Sequence, residues 1–360
     1  MDNTGNTTRS IQFAGGAKIV SMAERVKYTM RDVAPLAGVS TSTVSAVLND
    51  SVVVSPQRKE RVVAAMSAFD YQPDAIARSL KTGRSNAIGV IVPDITNAFY
   101  PEVIRGVEQA AQAAGYSVLL CDSNEDRTVE ERHLSALFSR RVDGVILACC
   151  VNSRASELAA RHRIPVIFID RLPHSEAMNN VCTDNVAAGQ MAAEHLVGLG
   201  DRRIGMLAGH LGLSPHHDRL EGFRKAMQEA HLPIFDEYLI EGNVQVEDGV
   251  QAGHRLLELP NHPTAILASN NQLLLGVLQA VEERNVVIPK DLSVLGFDDY
   301  LWNMHFSPRL TAVAQRTGEI GRKSFELLHQ LIENPPQEDA APMHVLIPAE
   351  LRIRNSTARL

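Results

Sequence analysis

Four times along the chain a polar pair follows directly on a short apolar run. Pro93-Asp94 follows AIGVIV, Asp170-Arg171 follows PVIFI, Asn270-Asn271 follows AILAS and Asp298-Asp299 follows LSVLGF, with Phe99 and Tyr100 close behind the first. Carboxylates, amides and a guanidinium accept from and donate to hydroxyl groups, while aromatic rings cover an apolar face. Together they suit the capture of a small polar molecule. Each has a duller reading alone: Asp298 as a helix cap after its strand, Phe99 as plain core. Covalent chemistry has weaker support, because the chain carries no G-x-S-x-G elbow, phosphate-binding loop, dinucleotide fingerprint or convincing metal set.

For these pairs to meet, the runs before them must be parallel strands. AIGVIV, YSVLLC, GVILAC and PVIFID alternate with helical stretches such as Pro101 to Ala114 and Val129 to Phe138, which predicts a doubly wound parallel sheet. RIGMLAG, EYLIEG, AILASN and LSVLGFDD repeat the alternation, so two similar α/β lobes are expected. Ligands of such sheets bind beyond the carboxyl ends of the strands, where the polar pairs fall.

A second constellation lies near the start, in MRDVAPLAGVSTSTVSAVLND. Small Ala34, turn-forming Gly38 and apolar Val44 and Val47 have helix-turn-helix spacing, with Ser40 as the cap of the second helix. Such a helix enters the major groove of DNA by its N-terminal end; the alternative is a small bundle that binds protein. A third helix opens with Ser55-Pro56 as cap and first turn, and is expected to turn Val62, Val63, Met66 and Phe69 inward. Charge follows the same division. Residues 1–86 carry 11 Lys/Arg against 7 Asp/Glu, net +4, and residues 87–360 carry 24 against 35, net −11. A basic head on an acidic body presents one small face to a polyanion.

The 360 residues contain no apolar run near the ~20 needed to cross a bilayer, so no membrane partner and a cytoplasmic location are expected. Cys121, Cys149, Cys150 and Cys182 lie in apolar segments without C-x-x-C spacing and read as buried thiols. The doublet His216-His217 lacks an H-E-x-x-H context and reads as loop surface or part of a small-molecule pocket. No metal or cofactor is expected.

Taken in order, TMRDVAPLAGVSTSTVSAVLND, YQPDAIARSLKTGRSNAIGVIVPDITNAFY, RRVDGVIL, PVIFIDR, VCTDNVAAGQMAAEHL, DRRIGMLAG, DRLEGF and LSVLGFDD resemble the LacI/GalR family of bacterial transcription repressors from about Tyr28 to the end. The resemblance implies an all-α helix-turn-helix head followed by an α/β core of two Rossmann-like lobes, like a periplasmic binding protein. It implies a sequence-specific regulator that binds operator DNA as a homodimer through its core, under allosteric control of a small effector, a sugar or sugar derivative. The expected division is an extension over 1–26, a head over 27–72, a hinge helix over 73–86 and a core over 87–360. The first lobe would take about 87–186 and 315–343, the second about 187–314 and 344–360.

On DNA the resemblance implies Thr41 and Ser42 at the base-reading start of the second helix, Thr43, Ser45 and Asn49 near phosphates, and Thr29 and Ser55 among the contacting positions. It turns the linker into a hinge helix in the minor groove, with Leu80 as the wedge, Ala77 against the groove floor, and Lys81 and Arg84 meeting phosphates. Ala46 stands where the family usually has Arg or His, which removes a hydrogen bond to a base and about 1–3 kcal/mol of discrimination. Pro35 falls inside the first helix, where proline removes a backbone donor. In the core the resemblance adds Arg219 and Gln315 to Phe99, Tyr100, Asp170, Arg171, Asn270 and Asp298 as effector contacts. Asn271 replaces a common Asp, and Val244 lies where some members have an aromatic. A cleft-bearing α/β enzyme or a sugar-binding receptor is the alternative.

Overall fold

The computed structural model describes residues 28–49, 53–71, 83–172, 178–337 and 340–359. The expected extension, and the hinge positions Ala77, Leu80 and Lys81, lie outside the described residues. The chain divides into two units, up to Thr82 and from Gly83 onward.

The first unit holds three helices: α1 (Met30–Ala37), α2 (Thr41–Asn49) and α3 (Pro56–Ala68). Thr29 opens α1 with a capping box: its Oγ1 accepts from Arg31 N, and its own N–H donates to Asp32 Oδ2 at 2.8 Å. The helix runs through Pro35, which sits on its exposed side, to Gly38 at φ 63°, a left-handed turn that favours a residue without Cβ. Ser40 Oγ then accepts from Thr43 N at 3.2 Å and starts α2. Val33, Val44 and Val62 are fully buried with Ala34, Ala37 and Ala65, and Tyr28 stacks on Phe69 with ring centroids 4.3 Å apart. At ~1.5–3 kcal/mol for each large apolar side chain removed from water, this is a small core. Two expectations need correction. Val63 is half exposed, because the face turned inward is set by Val62, Ala65 and Met66, one helical step away. Ser55 precedes α3 but makes no side-chain cap; its carbonyl accepts from Arg58 and Lys59 instead.

The second unit contains two six-stranded sheets of matching order. The first is β11-β5-β4-β3-β1-β2 and the second β12-β10-β9-β8-β6-β7. In the first, β1 (Ala87–Val92), β2 (Ser117–Asp122), β3 (Gly144–Leu147), β4 (Val166–Ile169), β5 (Asn180–Thr183) and β11 (His344–Ile347) are all parallel. In the second, β6 (Ile204–Gly209), β7 (Leu239–Glu241), β8 (Ala265–Ala268), β9 (Ser293–Phe297) and β10 (Thr311–Ala314) are parallel, and β12 (Glu350–Arg352) closes the edge antiparallel to β10. Buried on both faces, the inner strands read as continuous apolar runs, which is why they were legible. The chain passes between sheets after β5, after β10 and between β11 and β12. The division expected at 343/344 is therefore corrected: His344–Ile347 pairs with β5 in the first sheet, and the passage to the second follows Ile347.

The helices are α4 (Phe99–Ala113), α5 (Arg127–Ser139), α6 (Ala155–His162), α7 (Asn185–Leu199), α8 (Ser214–Glu229), α9 (Val246–Leu257), α10 (Asn271–Glu283) and α11 (Thr317–Glu333). Two pairs approach closely through glycine. A Cβ on Gly222 of α8 would lie 2.0 Å from Val186 O of α7, and one on Gly321 of α11 would lie 2.0 Å from Val103 O of α4. Only hydrogen fits at either contact. The four cysteines are free thiols, three of them buried, and among the described residues no helix is long and apolar enough to cross a membrane.

Candidate functional site

The first unit presents the start of α2. Thr41 and Ser42 are exposed, Val44 is buried, and Thr43, Ser45 and Ala46 are half-buried. The hydroxyls are already organised: Ser40 Oγ is 2.7 Å from Ser42 Oγ and 2.9 Å from Thr43 Oγ1. A hydroxyl can pass on one hydrogen bond while accepting others, so these side chains suit phosphate or base-edge contacts. Ala46 has no polar side-chain atom to add. Thr29 is tied by its Oγ1 to Asp32 at 2.7 Å, and the Asn49 side chain lies outside the description. Arg84, read as a phosphate contact, is placed otherwise: its guanidinium is paired with Glu333 and donates to Ile332 O at the end of α11.

In the second unit three of the four polar pairs reach a common cleft; Asp94 instead accepts from Thr96 N and Oγ1, and Asp299, beside Asp298, is paired with Arg354 at 2.7 Å. One cleft at the carboxyl ends of both sheets is lined by Phe99, Tyr100, Asp170, Arg171, Arg219, Asn270, Asp298 and Gln315. All eight expected residues are among its walls.

The local backbone explains the placement. Asp170 and Asp298 follow β4 and β9 with φ of 56° and 71°, left-handed values uncommon outside glycine, which turn their carboxylates from strand to cleft. Phe99 and Tyr100 form the first turn of α4, edge to face with centroids 5.2 Å apart. Tyr100 OH donates to Asp170 Oδ2 at 2.8 Å. Burial raises the phenol pKa well above its ordinary value, so Tyr100 acts as a neutral donor. Arg171 is held on Glu125 at 2.7 Å, with Asp170 at 3.8 Å. Burial opposes its charge, yet Tyr100, Glu125 and Asp170 raise its pKa.

Arg219 projects from α8 across the floor. Its Nε donates to Asn185 Oδ1 at 2.8 Å, its Nη1 to Ser269 O at 2.5 Å, and the guanidinium lies 4.1 Å above the Phe297 ring. Among the described residues no partner engages Nη2. Asp298 Oδ1 accepts from Gln315 Nε2 at 2.7 Å, while Gln315 Oε1 accepts from Thr183 Oγ1 at 2.5 Å, fixing the amide orientation. Burial, partly offset by Arg219, pushes the Asp298 carboxyl up to about 6. The cleft thus offers a fixed donor fork and a carboxylate that is ionised near neutrality, a pair suited to adjacent hydroxyls. Asn270 caps α10, accepting from Leu273 N at 2.8 Å and donating to Val244 O at 3.2 Å.

Asn97 and Pro215 also line the cleft and were missed; Asn271, the second member of its polar pair, is on the wall as well. The signal for Pro215 was present: Ser214-Pro215 opens a helix after β6 just as Ser55-Pro56 opens α3. His216, left open between loop and pocket, is in helix α8 and buried in the cleft wall; His217 beside it faces solvent. Ser269 Oγ donates to Ala208 O, so its 2.9 Å contact with His216 Nδ1 requires the proton on Nδ1. Burial holds the imidazole well below its ordinary pKa, leaving a neutral ring.

A three-helix head with an exposed N-terminal turn, followed by two matched sheets around a polar cleft, defines a ligand-responsive DNA-binding regulator. Known proteins agree. Residues 29–74 match the model for bacterial regulatory proteins of the lacI family, and residues 193–357 match a periplasmic binding protein-like domain. The HTH-type transcriptional repressor PurR of Vibrio parahaemolyticus is 33% identical over 92% of this chain and 99% of its own. The ribose operon repressor of Escherichia coli K12 is 36% identical over 85% of this chain and 94% of its own. The solved lac repressor dimer bound to operator and the anti-inducer ONPF is 28% identical, covers 92% of this chain and 99% of its own, and superposes with a TM-score of 0.82. The chain belongs to the lacI family of bacterial regulatory proteins.

Proposed function

We propose that this regulator is a cytoplasmic repressor that binds operator DNA as a homodimer and takes a sugar or sugar derivative in its core cleft. The observation that carries the effector reading is that Arg219, with its Nη2 unengaged among the described residues, and Asp298 stand on the walls of the same cleft. Phe99 and Tyr100 supply an apolar face beside them, and Asp170, Arg171, Asn270 and Gln315 complete the hydrogen-bonding set. Thr41, Ser42, Thr43, Ser45 and Asn49 of α2 are the operator contacts, with Ala46 able only to meet a thymine methyl. Thr29 and Ser55 flank them at the ends of α1 and α3. Ala77, Leu80 and Lys81 form the hinge contact; residues 27–72 are the head, 73–86 the hinge and 87–360 the core. Dimerisation through the core is supported by an open apolar groove lined by Leu275, Leu278, Val287 and Phe306, of which Val287 is 51% and Phe306 39% exposed.

A thermal-shift screen of pentoses, hexoses, sugar acids, polyols and nucleosides tests the reading, starting with ribose, the sugar named in a relative's operon. A sugar at a hundred times its Kd stabilises the fold by about 2.7 kcal/mol, which moves the melting temperature by several degrees. The same sugar must then change the affinity for an operator duplex. Turnover of the sugar, or a hit that leaves duplex binding untouched, overturns the proposal.

A further inference from the structure

The two lobes touch across the cleft on two flanks. On one, Asn271 Nδ2 of α10 donates to Asn97 Oδ1 before α4 at 3.0 Å; on the other, Leu172 N after β4 donates to Ser214 Oγ at the start of α8, also at 3.0 Å. The first contact has a fixed polarity. Asn97 Oδ1 also accepts from Phe99 N at 3.1 Å, which points its carbonyl oxygen at the helix start and across the cleft. Asn271 Oδ1 accepts from Gln272 N at 2.8 Å, which leaves Nδ2 as the group facing Asn97. A backbone N–H on each side thus dictates which amide end meets which. Tyr300 OH lies 3.5 Å from the same Asn271 Nδ2.

We propose that Asn97 and Asn271 form a one-way latch between the lobes: 271 must donate and 97 must accept for the cleft to hold its gripping geometry. The residue that closes the latch also orders the turn carrying Phe99 and Tyr100, so closure and the aromatic wall are set together. A carboxylate at 271 would face the Asn97 oxygen with an acceptor. To pair, Asn97 would have to turn its amide over, and Phe99 N–H would lose its partner. A carboxylate at 97 keeps every acceptor in place. Two substitutions with the same change of charge and nearly the same shape therefore have unequal consequences.

The inference rests on the effector reading for its physiological meaning, but its test does not. Hydrogen exchange of the Leu172 amide, on the opposite flank, is measured in the sugar-free full-length protein. Asn271→Asp is expected to speed that exchange about tenfold relative to Asn97→Asp, and to weaken ribose binding by a similar factor relative to Asn97→Asp. Equal exchange in the two variants, or the reverse order, overturns the latch. As a check against misfolding, Asn97→Ala, Asn271→Ala and their double variant form a cycle. A latch makes the double no faster in exchange than the faster single, whereas additive effects refute it. If the wild-type protein binds no sugar, the effector reading fails while the exchange comparison still decides the latch.

Discussion

Acidification should loosen the effector through a single carboxyl group. Asp298 has a folded-state pKa of about 6, so about 90% of it is ionised at pH 7 and about 10% at pH 5. If the ionised form accepts the effector's hydroxyls, association falls about tenfold between these pH values, approaching 1.4 kcal/mol per unit at the acid end. Titration calorimetry with ribose, or the best hit of the screen, at half-unit steps from pH 5 to pH 8 measures this directly. Asp298→Asn keeps an oxygen for Gln315 Nε2 but does not titrate, so its weaker binding should be flat over that range. The fold responds with the opposite sign. With its pKa raised from 3.8 to about 6, the carboxyl contributes stability that is full below pH 3.8 and is lost as pH rises through 6. The difference is about 3 kcal/mol. Asp298→Asn should accordingly melt above wild type at pH 7 and lose that advantage near pH 4. Pentose affinity independent of pH in the wild type, or an unchanged slope in Asp298→Asn, refutes the assignment.

Other outcomes follow from the same geometry. Arg219→Ala removes the donor fork and the contact with Phe297, and should weaken ribose at least about a hundredfold in calorimetry, the effect of losing a charged hydrogen-bonding partner; a full effector response would remove Arg219 from the site. Arg84→Ala should leave the salt dependence of operator binding unchanged, because the guanidinium is engaged by Glu333 and Ile332 O; a decrease of about 0.9 in the log–log slope would show a phosphate contact after all. Gly222→Ala drives a methyl against Val186 O and should lower the melting temperature sharply. Gly198→Ala, a helical position with nothing within 4 Å of the new Cβ, should instead stabilise by about 0.5–1 kcal/mol.

How much of this was legible depended on burial. β1, β3, β4, β8 and β9 are apolar on both faces and announce themselves in the sequence. β5, with Asn180 and Thr183 in a four-residue strand, does not, and neither does β11, where His344 and Leu346 face solvent. The boundary error at His344 follows directly, since a short half-exposed strand carries no mark of the sheet it will join. Val63 was misassigned because Val62 and Val63 are equally apolar and only packing against α1 distinguishes them. The cleft residues Asp170, Arg171, Asn270 and Asp298 were legible because they sit at strand ends, a position that topology fixes, whereas Arg219, inside α8, was placed only by the family resemblance. Asn97 was missed because its role depends on a partner 174 residues away, and Arg84 because a basic residue beside a basic linker gives no hint of an acidic neighbour at the far end of α11.

The glycine contacts between paired helices bear on how such a regulator can be retuned. Gly222 against Val186 O and Gly321 against Val103 O join backbone to backbone, so those junctions are insensitive to side-chain exchange elsewhere. Yet the helices they join begin at the cleft, with Phe99 and Tyr100 on α4, Asn185 on α7 and Pro215 and His216 on α8. A change of ligand can therefore be written into the mouths of the helices without resetting the frame that carries them, and a designed sensor for another small molecule would draw its library from those first turns and the strand ends opposite.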